Sequence, residues 1–128
     1  MKLLLDTHIF IWLNFEPEKL SDDITIACND VSNQLYLSMV SPWEIQIKQQ
    51  LGKLKLQAPV SQLINTQTKE NELNLLPIQL KHINALNDLP LIHKDPFDRL
   101  LIAQSQVESM KLVSMDKKFQ QYSVLVIS

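Results

Sequence analysis

Short apolar runs separated by segments of helical length constrain this chain more than any other feature. LLLD (3–6), QLYLSMV (34–40), NLLPI (74–78), KLVSMD (111–116) and SVLVI (123–127) each read as a strand, and such continuous apolar runs suit strands buried on both faces. Between them, Ser21 is placed to cap a helix carrying Ile24, Ala27, Cys28 and Val31 on one face, and Val60, Leu63 and Ile64 repeat at similar spacing. Strands alternating with helices predict a mainly parallel central sheet flanked by helices, an open three-layer α/β sandwich.

Size and charge bound the function classes. With 128 residues, 45% of them hydrophobic, the chain buries one full core and hardly two, so a single domain over 1–128 is expected. MKLLLD offers only three apolar residues before an acid, and no run approaches the roughly 18 residues of a membrane span. Cys28 is the only cysteine, which excludes an internal disulfide or a thiolate-rich zinc site within one chain and fits a reducing, cytoplasmic setting. The net charge of -2 lacks the excess of a protein that grips nucleic acid by charge alone.

Acids stand where such a sheet would gather them. In SPWEIQIKQQLG (41–52), Ser41 as N-cap, Pro42 at the first helical position and Glu44 three after the cap make a capping box, with Gly52 as the stop. In HKDPFDRLLIAQ (93–104), Asp95 is an N-cap, Pro96 the first helical residue and Asp98 an acid facing the positive helix end. Capping alone explains these acids locally. A parallel sheet, however, brings the carboxyl ends of its strands and the N-termini of its helices to one edge. Asp6 ends the first strand and Asp116 the KLVSMD strand, so Asp6, Glu44, Asp95, Asp98 and Asp116 converge from four separate segments.

Like charges gathered in a cleft repel unless protons or a cation compensate, and carboxylate oxygens are the ligands of Mg2+ and Mn2+. The cluster therefore predicts a hard divalent metal, able to activate water for phosphodiester hydrolysis.

Taken together, DTHIFIWL (6–13), SPWEI (41–45), DPFDRLLIAQ (95–104) and SMDKKF (114–119) resemble the motifs of PIN-domain ribonucleases, in the family's order and over nearly the whole chain. More narrowly they resemble the VapC-like toxins of type II toxin-antitoxin pairs. The resemblance implies that Asp6, Glu44, Asp98 and Asp116 form the metal-binding and catalytic quartet. It implies Mg2+- or Mn2+-dependent cleavage of RNA, a homodimer, and a cognate antitoxin that inserts a segment near the acidic cleft. Asp98 fits the family acid better than Asp95, because it precedes the small-residue helix face that Ala103 continues. Ser105 departs from the alanine of many relatives, a difference of packing rather than chemistry.

Other residues carry secondary expectations. Thr7 follows Asp6 and is placed either to orient a carboxylate or metal water or to start a helix. Arg99, the only arginine, suits a phosphate, an acidic partner or a surface ion pair. His8, His82 and His93 lack zinc-ligand spacing and receive no role. Lys48, Lys53, Lys55, Lys117 and Lys118 either border an RNA groove or solvate helix faces, and Trp12 and Trp43 read as core or interface aromatics. Two rival readings share the fold class or the acids: a receiver-like phosphoacceptor domain, and a nonenzymatic interaction module whose acids only cap helices.

Overall fold

The computed structural model describes residues 1–128. The chain runs β1 (Lys2–Leu5), α1 (Thr7–Phe15), α2 (Asp22–Asn29), β2 (Gln34–Ser38), α3 (Val40–Gln50), α4 (Val60–Glu70), β3 (Asn74–Leu76), α5 (Leu80–Ala85), α6 (Pro96–Glu108), β4 (Lys111–Val113) and β5 (Val126–Ile127). The five strands form one sheet in the order β3-β2-β1-β4-β5, and every neighbouring pair is parallel. This is the expected three-layer α/β sandwich, with strands shorter than their apolar runs. No helix is long and apolar enough to cross a membrane.

Period-2 geometry explains why β1 is apolar beyond the exposed Lys2. Leu3 and Leu5 point to one face, into a core with Ile9, Phe10, Ile24, Leu37, Ile45 and Ile64 from α1, α2, β2, α3 and α4. Leu4 points to the other, joining Leu101, Ile102, Leu112 and Phe119. A central strand covered on both sides has no position for a polar side chain. Its chain end does: Asp6 is the next residue, with its N–H bonded to the Val113 carbonyl of β4 (3.0 Å).

Several local expectations are corrected. Ser41 is not an N-cap: α3 begins at Val40, whose N–H is received by Ser38 Oγ (3.1 Å), so the capping box does not form. Val31 lies beyond the end of α2 and is fully exposed. The α5 helix has no counterpart among the predicted elements; its buried His82 accepts the Gln79 N–H at Nδ1 (3.0 Å) and meets Glu108 through Nε2 (2.8 Å). Gly52 does follow the end of α3, at φ 71°, where the absence of a Cβ is an advantage.

At the end of α6, Ser109 holds φ 56° and ψ 44°, a left-handed conformation that costs an L side chain about 1 kcal/mol. Ser109→Gly is therefore expected to raise stability by about 0.5 kcal/mol once the greater freedom of unfolded glycine is subtracted, read as a rise in thermal midpoint.

Candidate active site

The strand order creates the crevice. From β1 the chain moves to β2 on one side, whereas β4 joins β1 on the other, and ligands of open α/β sheets occupy the crevice at the carboxyl ends where such a reversal occurs. Asp6 follows β1, Ser114 follows β4, and the first turns of α1, α3 and α6 reach the same edge.

Each predicted acid is held differently. Asp6 is the N-cap of α1: its Oδ1 accepts the Ile9 N–H (2.8 Å), while Oδ2 receives a short hydrogen bond from Ser114 Oγ. Burial pushes its carboxyl above the ordinary range, opposed by the Ser114 and Ile9 hydrogen bonds. Glu44, only 2% exposed, accepts the Thr7 hydroxyl at Oε1 (2.8 Å) and Lys48 Nζ at Oε2 (2.7 Å). Since the single Thr7 proton goes to Glu44, Ser41 Oγ must be the donor in its 2.9 Å contact with Thr7 Oγ1. Ser41 thus serves the site rather than the helix end.

Asp95 caps α6, its Oδ1 accepting the N–H groups of Phe97 (2.8 Å) and Asp98 (3.4 Å), and Pro96 occupies the first helical position as expected. Asp98 is delivered from the first turn of that helix. Burial first, then the charges of Asp95, Glu44, Asp6 and Asp116, push its carboxyl up to about 7. That Asp98 feels all four acids is the direct electrostatic sign that the five carboxylates gather. Asp116 lies nearer the rim and caps the 3₁₀ turn Lys117–Gln121 through the Lys118 N–H (3.0 Å).

Two residues of the site were missed by the sequence reading, Ser114, which bonds Asp6, and His93. His93 is 7% exposed, with Nε2 2.9 Å from Asp98 Oδ2 and 3.5 Å from Asp116 Oδ2. Its ring leans on Phe119 at 5.9 Å between centroids. The only signal for His93 in the sequence was adjacency, two positions ahead of Asp95.

Other secondary residues resolve clearly. Arg99 forms no surface ion pair: its guanidinium donates to the carbonyls of Pro90 (2.8 Å) and Leu86 (3.4 Å), fastening the segment that leads into His93. Lys48 is engaged by Glu44, whereas Lys117 and Lys118 are exposed beside Asp116. Trp43 is more than half exposed and meets Phe97 edge to face at 5.2 Å, so it is a surface aromatic beside the cleft, not a core residue.

The donor set suits a hard divalent cation. It is dominated by carboxylate oxygens, no thiolate faces it, and the Asp98 carboxyl is raised first by burial and then by neighbouring acids whose repulsion a cation would relieve. His93, Asp98 and Asp116 offer ligand-type atoms within 4.8 Å of one another.

The sequence profile of the PIN domain matches residues 3–125, and the chain belongs to the PIN domain family, whose members are generally nucleases and typically bind a divalent metal. No curated protein sequence matches it. Its fold is similar to that of a chain in VapBC2 from Rickettsia felis, bound to a DNA fragment from their promoter, with TM-score 0.72, 16% identity, and coverage of 98% of this chain and 97% of that one. It is similar too to VapBC-1 from nontypeable Haemophilus influenzae (TM-score 0.66, 17% identity, 94% and 91% covered). DNA-bound VapBC from Salmonella typhimurium gives TM-score 0.66 at 16% identity, with 100% and 97% covered.

Proposed function

We propose that the protein is a metal-dependent endoribonuclease and the toxin of a type II toxin-antitoxin pair. The observation that carries the reading is the convergence of Asp6, Glu44, Asp98 and Asp116 from four segments onto one crevice, felt at Asp98 as a carboxyl raised by burial and by its neighbours. In this reading Asp6, Glu44, Asp98 and Asp116 hold Mg2+ or Mn2+. When bound, such an ion supplies Lewis acidity toward a phosphoryl oxygen and a lowered pKa for water.

The chain's own residues prepare that chemistry. Ser114 and the Ile9 N–H orient Asp6, and Thr7 and Lys48 orient Glu44, so these carboxylates meet a cation without first reorganising. Neutralising the crevice also removes its repulsion for the RNA backbone, which Lys117 and Lys118 on the rim further offset. Similar folds occur in VapBC complexes, which supports a cognate antitoxin; that the antitoxin reaches the cleft, a homodimer and a cytoplasmic setting belong to the same proposal. The receiver-like alternative is disfavoured by the strand order, since receiver domains use the order 2-1-3-4-5.

Internally labelled RNA incubated with the protein is expected to be cut at internal positions with Mg2+ or Mn2+ and left intact in EDTA. Cleavage that persists in EDTA, or no cleavage of any RNA accompanied by no binding of Mn2+, would remove the reading and favour a noncatalytic interaction module.

A further inference from the structure

Unlike Asp6 and Glu44, Asp98 has no hydroxyl or lysine donor. Asp6 has Ser114 and Glu44 has Thr7 and Lys48, whereas the side-chain nitrogen nearest Asp98 is His93 Nε2, at 2.9 Å. The same atom lies 3.5 Å from Asp116. We propose that His93 is a positioning residue whose Nε2–H lies between the Asp98 and Asp116 carboxylates and fixes the separation at which both face the cation. The inference rests on the metal-dependent reading above.

The tautomer follows from the neighbouring backbone. His93 Nδ1 accepts the Asp95 N–H (3.3 Å), so a neutral ring carries its proton on Nε2 and presents a donor there, not a lone pair for a metal. Nε2 is buried and makes no in-line hydrogen bond, so it meets Asp98 and Asp116 by proximity, at 2.9 and 3.5 Å.

The ring is anchored from both elements whose acids it touches. On the α6 side, Asp95 holds Nδ1 and also caps the helix that carries Asp98. On the β4 side, the Tyr122 hydroxyl accepts the His93 N–H (2.6 Å), and Phe119 packs on the ring. Phe119 lies in the turn capped by Asp116, and Tyr122 ends it. A side chain tied to both elements sets the distance between them, and groups that orient metal ligands typically carry a 10- to 100-fold effect on metal affinity, by order of magnitude.

His93→Asn and His93→Gln separate the anchor from the reach. Asparagine keeps an acceptor for the Asp95 N–H, as in an Asx turn, but loses the Nε2 arm; glutamine places an amide N–H near the Nε2 position. Mn2+ affinity is measured by calorimetry on both variants, with circular dichroism melts confirming that each is folded. His93→Asn is expected to bind Mn2+ about 10- to 100-fold more weakly than wild type, with His93→Gln recovering most of the loss. Equal affinity in His93→Asn and wild type, or His93→Gln no better than His93→Asn, overturns the proposal, as does directly coordinated nitrogen in pulsed EPR of the Mn2+-loaded wild type. Failure of wild type itself to bind Mn2+ would overturn the metal-centre reading together with this one, which distinguishes the two failures.

Discussion

Asp98→Asn is expected to lower cation-dependent RNA cleavage by at least about 100-fold and, in EDTA at pH 8, to make the protein more stable than wild type. Both effects have one cause. The Asp98 carboxyl is raised from 3.8 to about 7 in the folded protein by burial and by Asp95, Glu44, Asp6 and Asp116. Between those values the folded state holds a proton that the unfolded state has released, so stability falls as pH rises through the window from about 4 to 7. Above it the ionised carboxylate is a full penalty; below it the penalty is absent. Each unit is about 1.4 kcal/mol, and discounting for partial solvent screening leaves on the order of 2 kcal/mol.

Asparagine carries no charge to bury, so the variant should melt above wild type at pH 8 and match it near pH 4. Saturating Mn2+ should stabilise wild type and reverse the order, because an ion binding only the folded state adds stability by mass action. Urea melts at the two pH values, with EDTA or Mn2+, test all three statements. A variant no more stable than wild type at pH 8 in EDTA would show that Asp98 does not bear the like-charge strain.

The sheet was legible because its strands advertise themselves. Leu3, Leu4 and Leu5 fill both faces of a central strand, and burial on both sides is what a continuous apolar run means. The α6 N-terminus was legible too, because Asp95, Pro96 and the acid that follows are matched to the first turn by local rules alone. What the sequence hid depended on distant partners. Ser41 fits a capping box on spacing, yet Ser38 takes the Val40 N–H and starts the helix earlier, leaving the Ser41 hydroxyl to meet Thr7 across the fold. The role of Arg99 depends on the path of the 86–90 loop, whose carbonyls it gathers. His93 matters through Asp116 and Tyr122, which tertiary folding alone brings to it.

Thr7→Val separates the cost of building this site from its use. Valine matches threonine in volume, so no cavity opens at a position only 2% exposed; what is lost is the hydroxyl. Glu44, equally buried, then keeps Lys48 but loses its donor at Oε1, and Ser41 loses its acceptor. Leaving a buried polar group unsatisfied costs about 1–3 kcal/mol, a fall of roughly 4–12 °C in Tm for a chain of this size. Cleavage should fall by about 10-fold or more, because a carboxylate freed from its orienting donor must be reordered on binding the ion. Thr7→Ser, which keeps the donor, should recover most of both losses. The contrast with Asp98→Asn is the informative one: activity falls in both variants, while stability in EDTA at pH 8 moves in opposite directions. Removing an acid relieves repulsion in the crevice, whereas removing a donor leaves a remaining acid without the partner that orients it. Stability that falls in both variants would mean that Asp98 is a structural helix-start residue, and its repulsion with the other acids too weak to matter.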